Sequence, residues 1–110
     1  LVFSLFMSLS IFSLNVRGLR NNLKCKAMFL YCKQQNTDYC FLQESHSTSS
    51  DLNFWRSQWG SDVWMSHGTE KSAGVSILKN RCGCVLTSET DKTGHYIILV
   101  VELTNNILII

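Results

Sequence analysis

The apolar positions in the first half of the chain follow a strand–helix–strand pattern. Residues 9–16 are mostly apolar, β-branched or aromatic, which is typical of a strand buried on both faces. A helix is predicted next, with Asn21 or Asn22 as its N-cap. A second buried strand, residues 39–43, then ends in the carboxylate of Glu44. This order predicts a βαβ-like unit with a right-handed crossover.

The predicted helix carries an apolar stripe on one face. Residues spaced i, i+4, i+7 and i+8 lie on the same side of a helix, so we expect this stripe to face the core. The residues are Leu23, Ala27, Leu30 and Tyr31. The helix is predicted to end near Gln35, where a polar turn leads into the second strand.

The second half of the chain predicts one short helix and a series of short strands. Leu52, Trp55 and Trp59 have helical spacing, so the tryptophans are expected to pack inward. An alternative is that they form a base-stacking platform together with Arg56. The strands that follow are separated by polar or glycine-containing turns. One helical crossover followed by serial strands predicts an α+β fold with a mixed sheet.

Composition and charge narrow the possible classes of protein. The chain has 110 residues, of which 45% are apolar and 16% charged, so it is expected to form one globular domain rather than a disordered segment. The net charge of +2 permits nucleic-acid binding without indicating it. Basic residues dominate the first third, where they either face phosphates or form a solvated helix surface. They are Arg17, Arg20, Lys24, Lys26 and Lys33.

The cysteines and the N-terminal residues indicate in which cellular compartment the protein is expected. The five cysteines have no zinc-site spacing and are expected to be reduced, mostly packed thiols of an intracellular protein. Residues 1–7 are expected to be a leader or extraneous sequence, with Met7 as a plausible native start. The apolar N-terminal stretch is too short to span a bilayer and has no cleavage site, so no membrane association is expected.

Three motifs, in order, resemble those of a known superfamily. They are Ser-Leu-Asn-Val-Arg-Gly-Leu at 13–19, Leu-Gln-Glu-Ser-His at 42–46 and Ser-Ala-Gly-Val-Ser-Ile-Leu at 72–78. The chain resembles the endonuclease/exonuclease/phosphatase superfamily, and most closely the apurinic-type endonuclease domain of LINE-type retrotransposons. The resemblance covers residues 8–110, which correspond to the N-terminal half of that domain.

This resemblance implies a fold, a chemistry and a setting. The fold is a four-layer α/β/β/α sandwich, here truncated, and the activity is magnesium-dependent (or manganese-dependent) hydrolysis of DNA phosphodiesters. Glu44 matches the metal ligand, and Asn15 matches the amide that holds the glutamate, the metal and the phosphate. His46 is implied as a supporting residue, and Arg17 either contacts a phosphate or is a solvated turn residue. The full-length element would be nuclear, with a possible fusion to a reverse transcriptase.

The resemblance also implies three further motifs, and we expect none of them to occur in this chain. These are a catalytic Tyr, an Asp-x-Asn pair that activates water, and a Ser-Asp-His motif with acid/base and phosphate roles. We therefore expect an incomplete and inactive fragment of the nuclease domain. Two alternatives stay open: a non-catalytic remnant or binding module, and a phosphatase of the same fold.

Overall fold

A computed structural model describes residues 2–5, 9–81, 83–102 and 107–110 of the chain. The two helices are α1 (Asn22–Gln34) and α2 (Leu52–Trp59), and a short 3₁₀ turn (Ser49–Asp51) precedes α2. The strands are β1 (Val2–Leu5), β2 (Leu9–Asn15), β3 (Tyr39–Gln43), β4 (Val63–Ser66), β5 (Val75–Lys79), β6 (Cys84–Thr90), β7 (Ile97–Glu102) and β8 (Ile107–Ile109). Residues 2–5, expected to belong to a leader or extraneous segment, thus form a strand that pairs antiparallel with β2.

The strands form two sheets. The first sheet has the order β1-β2-β3-β5-β4, in which β2 and β3 are parallel and the other pairs are antiparallel. The second sheet is antiparallel, in the order β6-β7-β8. The predicted strand–helix–strand unit is confirmed, because α1 connects the parallel neighbours β2 and β3 and Asn21 caps the helix by accepting from the amide of Lys24.

Two apolar clusters set the layers. On one face of the first sheet, α1 and α2 pack through a cluster that includes both buried tryptophans, which confirms their predicted inward packing. On its other face, the second sheet covers a cluster that contains Leu99 and Val101. The outer face of the second sheet exposes Ile98, Ile107 and Ile109. The helices, first sheet and second sheet therefore form three layers, and the four-layer sandwich stays a prediction.

The predicted apolar stripe of α1 is wrong. Leu23 is 78% exposed and Leu30 is 58% exposed, and Ala27 and Tyr31 are exposed as well. The helix instead buries the stripe made of Cys25, Phe29 and Cys32. That stripe has the same i, i+4, i+7 spacing. Edge-to-face contacts of Phe29 with Trp55 and Trp59, at centroid distances of 5.0 and 5.7 Å, favour this face of the helix.

The cysteines follow the prediction of packed, reduced thiols in part. Cys25, Cys32 and Cys40 are free and buried, whereas Cys84 is free and exposed on β6. Cys82 lies outside the described residues. Across the described ranges, neither helix is both long and apolar enough to span a bilayer.

Candidate functional site

The side chains of Asn15 and Glu44 meet at one end of the first sheet. Asn15 is the last residue of β2, and Glu44 directly follows β3. Because β2 and β3 are parallel, with Asn15 opposite Gln43, their carboxyl ends lie side by side. The Asn15 amide Nδ2 donates a hydrogen bond to the Glu44 carboxylate Oε2, and both residues are exposed to solvent. The topology thus places an anionic oxygen and an orienting amide together at the surface.

The backbone around this pair is strained. Among the described non-glycine residues, five have φ in the left-handed region, and four of them lie in the loops at this end of the sheet. These four are Arg17 (φ 50°), Glu44 (53°), His46 (55°) and Ala73 (58°). Each such conformation costs on the order of 1–3 kcal/mol, and strained residues cluster at functional sites. This concentration marks the end of the sheet as a candidate functional site.

The loop after β2 and the loop after β3 are bonded together beyond the ends of their strands. The amide of Val16 donates to the Gln43 carbonyl at 2.9 Å, and the amide of Gly18 donates to the Glu44 carbonyl at 2.6 Å. The amide of Leu19 then donates to the Ser45 carbonyl at 2.9 Å. One side of the Glu44 backbone is therefore fixed by the loop that carries Asn15.

The loop before β5 fixes the other side of Glu44. The amides of Ser45 and His46 donate to the carbonyls of Gly74 and Ala73, both at 3.0 Å. Ala73 and Gly74 belong to the third sequence motif, so the structure brings all three motifs to one end of the sheet. The two residues that follow Glu44 are thereby held by backbone hydrogen bonds, and this limits the positions its carboxylate can occupy.

Arg17 is placed beside the pair by its backbone. Its amide donates to Asn15 Oδ1 at 3.1 Å, and its carbonyl accepts from Lys24 Nζ at 3.3 Å. Within the described part of the chain, no hydrogen bond or ion pair holds the Arg17 guanidinium, and the residue is exposed. The side chain is therefore accessible to an anionic ligand.

His46 packs against the turn that follows Asn15. Gly18 has φ 89°, and a Cβ built on it would lie 2.7 Å from Nδ1 of His46. The imidazole therefore contacts the backbone of the Arg17–Gly18 turn rather than the Glu44 carboxylate. The supporting role that the resemblance implies for His46 stays a prediction.

Sequence reasoning missed a buried hydroxyl–imidazole chain behind Glu44. The hydroxyl of Ser45 donates to that of Ser47 at 3.2 Å, and the Ser47 hydroxyl lies 3.2 Å from Nδ1 of His67. Burial lowers the pKa of His67, although the negative charge of Asp51 opposes this effect. His67 follows Ser47 by 20 residues, so sequence spacing alone gives no sign of this contact.

The basic residues of the first third are divided between internal contacts and solvent. Arg20 pairs with Asp51 at 2.8 Å and approaches Glu70 at 3.6 Å. Lys33 lies 5.2 Å from the centroid of a Trp59 ring. These contacts engage Arg20 and Lys33, although both are exposed. Among the described basic residues of this segment, Arg17, Lys24 and Lys26 are exposed and have no such contact with an acidic or aromatic side chain.

The expectation that no Asp-x-Asn sequence occurs in the chain is wrong, because Asp51-Leu52-Asn53 has this spelling. Its carboxylate accepts from the amide of Thr48 at 2.8 Å, within the capping box of the 3₁₀ turn that precedes α2, and from Arg20 at 2.8 Å. This aspartate therefore caps the 3₁₀ turn and is held in an ion pair with Arg20.

The candidate metal-binding group at this end of the sheet is the Glu44 carboxylate, beside the Asn15 amide. In the ranges that the structure describes, no group of three or more His, Cys, Asp and Glu side chains is arranged to hold a metal ion. A tetrahedral zinc site needs several such ligands. A single exposed carboxylate beside an amide suits a hard cation that completes its shell with water and substrate oxygens.

The chain is similar to a transposon-encoded protein. Over 72 residues, which are 66% of this chain, it is 35% identical to the "Transposon TX1 uncharacterized 149 kDa protein" of Xenopus laevis. The match spans only 6% of the length of that protein. No model of a known protein family matches the chain. The similarity supports an origin of the chain in a transposon.

Proposed function

We propose that this chain supplies the Asn–Glu part of a magnesium-dependent DNA endonuclease site of a LINE-type retroelement. The observation that carries the proposal is the hydrogen bond from the Asn15 amide to the exposed Glu44 carboxylate, at the carboxyl ends of two parallel strands. The bond fixes one carboxylate oxygen and leaves Glu44 open to solvent. A retroelement setting agrees with the similarity to a transposon-encoded protein.

In this proposal Glu44 binds the metal and Asn15 orients Glu44. Magnesium takes one or two carboxylates and keeps sites for water and phosphate, so a lone exposed carboxylate fits it, and Mn²⁺ can replace it. When bound, the ion would neutralise charge on the scissile phosphate. An amide can donate to an anionic oxygen without adding charge, so Asn15 holds the carboxylate without competing for the cation.

Arg17 and His46 have supporting roles. The exposed guanidinium of Arg17 sits next to Asn15 in sequence and is available to a DNA phosphate. His46 keeps the turn at Gly18 in place, and so holds the loop of Asn15 against the loop of Glu44. DNA is the proposed partner, and a four-layer sandwich fused to a reverse transcriptase in the nucleus is the proposed setting.

The test uses a longer polypeptide in which the family's later motifs follow this segment. Nicking of supercoiled plasmid is measured across a magnesium titration for the parent and for Glu44→Gln, Asn15→Ala and Gln43→Ala. Glu44→Gln keeps the shape but removes the charge, so it should abolish cleavage and leave most DNA binding, which depends mainly on basic contacts to phosphates. Asn15→Ala should weaken cleavage less, because it removes orientation rather than a metal ligand.

Gln43→Ala is the matched control. Gln43 precedes Glu44, but its side-chain amide donates to the Ser13 hydroxyl at 2.9 Å and to the Phe41 carbonyl at 3.3 Å. It should therefore change cleavage least. If Glu44→Gln cuts as well as the parent, or if Gln43→Ala is the more damaging change, the metal assignment is wrong.

The 110-residue chain is a further arm of the same experiment. We expect no nicking from it, because acid/base groups of the kind supplied by the later motifs contribute ~10²–10⁴-fold in rate. Nicking by the chain that survives repurification and is lost in Glu44→Gln would contradict this expectation. If the longer polypeptide is also inactive although its later motifs are complete, the non-catalytic alternative is favoured.

A further inference from the structure

The turn between β6 and β7 is organised by one carboxylate. Asp91 accepts hydrogen bonds from the Thr93 hydroxyl at 2.7 Å and from the amides of His95 and Tyr96 at 2.9 and 3.3 Å. The buried hydroxyl of Ser66, at the end of β4, contacts both the Asp91 carboxylate and, at 2.8 Å, the Asp91 carbonyl. These contacts tie the turn of the second sheet to the first sheet.

The turn presses Gly94 onto the loop before β5. The amide of Gly74 donates to the Gly94 carbonyl at 2.9 Å. Gly94 is buried and has φ 83°, and a Cβ built on it would lie 2.6 Å from the amide nitrogen of Gly74 and 2.8 Å from Gly68. The approach is too close for any other residue, so the position of Gly94 sets the position of Gly74.

Gly74 in turn holds the residues that follow Glu44. Its carbonyl and that of Ala73 accept from the amides of Ser45 and His46. The contacts therefore run without a break from the Asp91 carboxylate through Gly94 and Gly74 to the backbone of the Glu44 loop. From this continuity we infer that Asp91 is a positioning residue of the candidate site, fixing where Glu44 is presented although it does not contact Glu44.

The inference that Asp91 positions a functional site rests on the proposed function. The structural coupling between Asp91 and the Glu44 loop can be measured without an activity assay. The hydrogen bonds from Ser66 and Thr93 and from the two amides lower the pKa of Asp91, so the carboxylate is charged at neutral pH and keeps all its acceptor capacity. Asp91→Asn keeps the size of the side chain and replaces one acceptor oxygen by a donor. It should loosen the turn while leaving the strands in place.

The experiment is amide hydrogen exchange and Mn²⁺ titration by NMR on the ¹⁵N-labelled 110-residue chain. In Asp91→Asn, exchange at Ser45 and His46 should rise ~10-fold or more relative to the β3 amide of Leu42, because local openings are freed without global unfolding. The Mn²⁺ concentration that broadens the Glu44 amide should rise in parallel. Glu89→Gln is the control: it removes an exposed carboxylate from β6 close to the turn and should change neither readout.

Two milder variants cover the case in which Asp91→Asn does not fold. Ser66→Ala and Thr93→Val each remove one donor to Asp91, and each should raise exchange at Ser45 and His46 by a smaller factor. The inference is overturned if folded variants leave these two amides unchanged, or if exchange rises equally throughout the first sheet. If the parent shows no Mn²⁺ broadening at Glu44 but the exchange effect is present, the metal proposal fails and the coupling to Asp91 stands.

Discussion

The imidazole of His46 occupies the space that a side chain on Gly18 would need, with 2.7 Å between Nδ1 and a Cβ built at Gly18. Gly18→Ala should therefore combine backbone strain with a steric clash. Strain at positive φ costs roughly 1–2 kcal/mol, and the clash adds to it. Urea unfolding of the 110-residue chain measures the loss of stability.

Gly60 supplies the control for that measurement. It ends α2 with φ 79°, and a Cβ built on it meets no atom within 4 Å. Gly60→Ala should show the strain alone, so Gly18→Ala should be the more destabilising change. The double variant Gly18→Ala with His46→Ala should recover part of the difference. If Gly18→Ala and Gly60→Ala lose the same free energy of unfolding, the steric contact between His46 and a side chain at position 18 has no energetic cost.

The second prediction tests which face of α1 is buried. Phe29→Ala should cost ~3–5 kcal/mol because it leaves a cavity between the two tryptophans. Leu30→Ala should stay within about 0.5 kcal/mol, as is usual for exposed positions. The midpoints of urea unfolding provide the comparison. If Leu30→Ala lowers the stability more than Phe29→Ala, the buried face of α1 is the one predicted from the sequence pattern.

The third prediction concerns pH. The pKa of His67 is lower in the folded chain than in the unfolded chain, so the unfolded state binds its proton more readily. Stability should be full above the unfolded pKa of about 6.5 and should fall as pH drops through that value. Urea unfolding at several pH values between about 7.5 and 5.5 measures this slope.

His67→Asn is the matched variant for this slope. The asparagine amide can replace Nδ1 as the hydrogen-bond partner of the Ser47 hydroxyl but does not titrate in this range. The variant should lose less stability than the parent between the two ends of the pH range. If the stability of the variant falls with pH as steeply as that of the parent, the pH dependence is caused by groups other than His67.

The fourth prediction concerns the difference in reactivity between the thiols of Cys25 and Cys84. Burial, with a smaller contribution from the negative charge of Asp51, raises the pKa of Cys25 to about 12, so only on the order of 10⁻⁴ of it is thiolate at pH 8. Cys84 is exposed on β6. Iodoacetamide at pH 8 should modify Cys84 and spare Cys25 in the folded chain, and both should react in urea, as read by peptide mass spectrometry. Modification of Cys25 at a rate close to that of Cys84 would show that α1 opens readily.

The sequence predicts the parts of the site that depend on local pattern. Two strands buried on both faces, joined by one capped helix, are expected to be parallel, and parallel neighbours bring Asn15 and Glu44 to the same end of the sheet. Each residue directly closes or follows its strand, so their meeting follows from the order of elements.

Long-range packing determines which face of α1 is buried and how the Glu44 loop is held, and the sequence pattern predicts neither. Two stripes of α1 share the same spacing, and the choice between them depends on the contact of Phe29 with two tryptophans on another helix. The second side of the Glu44 loop is held by hydrogen bonds to the backbone carbonyls of Ala73 and Gly74. These residues belong to the third motif, but a side-chain pattern does not show which backbone groups pair. The role of Asp91 is invisible for the same reason, because its effect passes through the backbone of Gly94.

The chain of contacts from Asn15 to Gly94 has a consequence for synthesis on the ribosome. The unit β2-α1-β3 is complete once residue 43 has emerged, but the loops that hold Glu44 need residues 73, 74 and 94. At ~5–20 residues per second, several seconds separate these events. During that interval the Glu44 loop is held only by the loop that carries Asn15, and the geometry of the candidate site is completed last, when the second sheet docks.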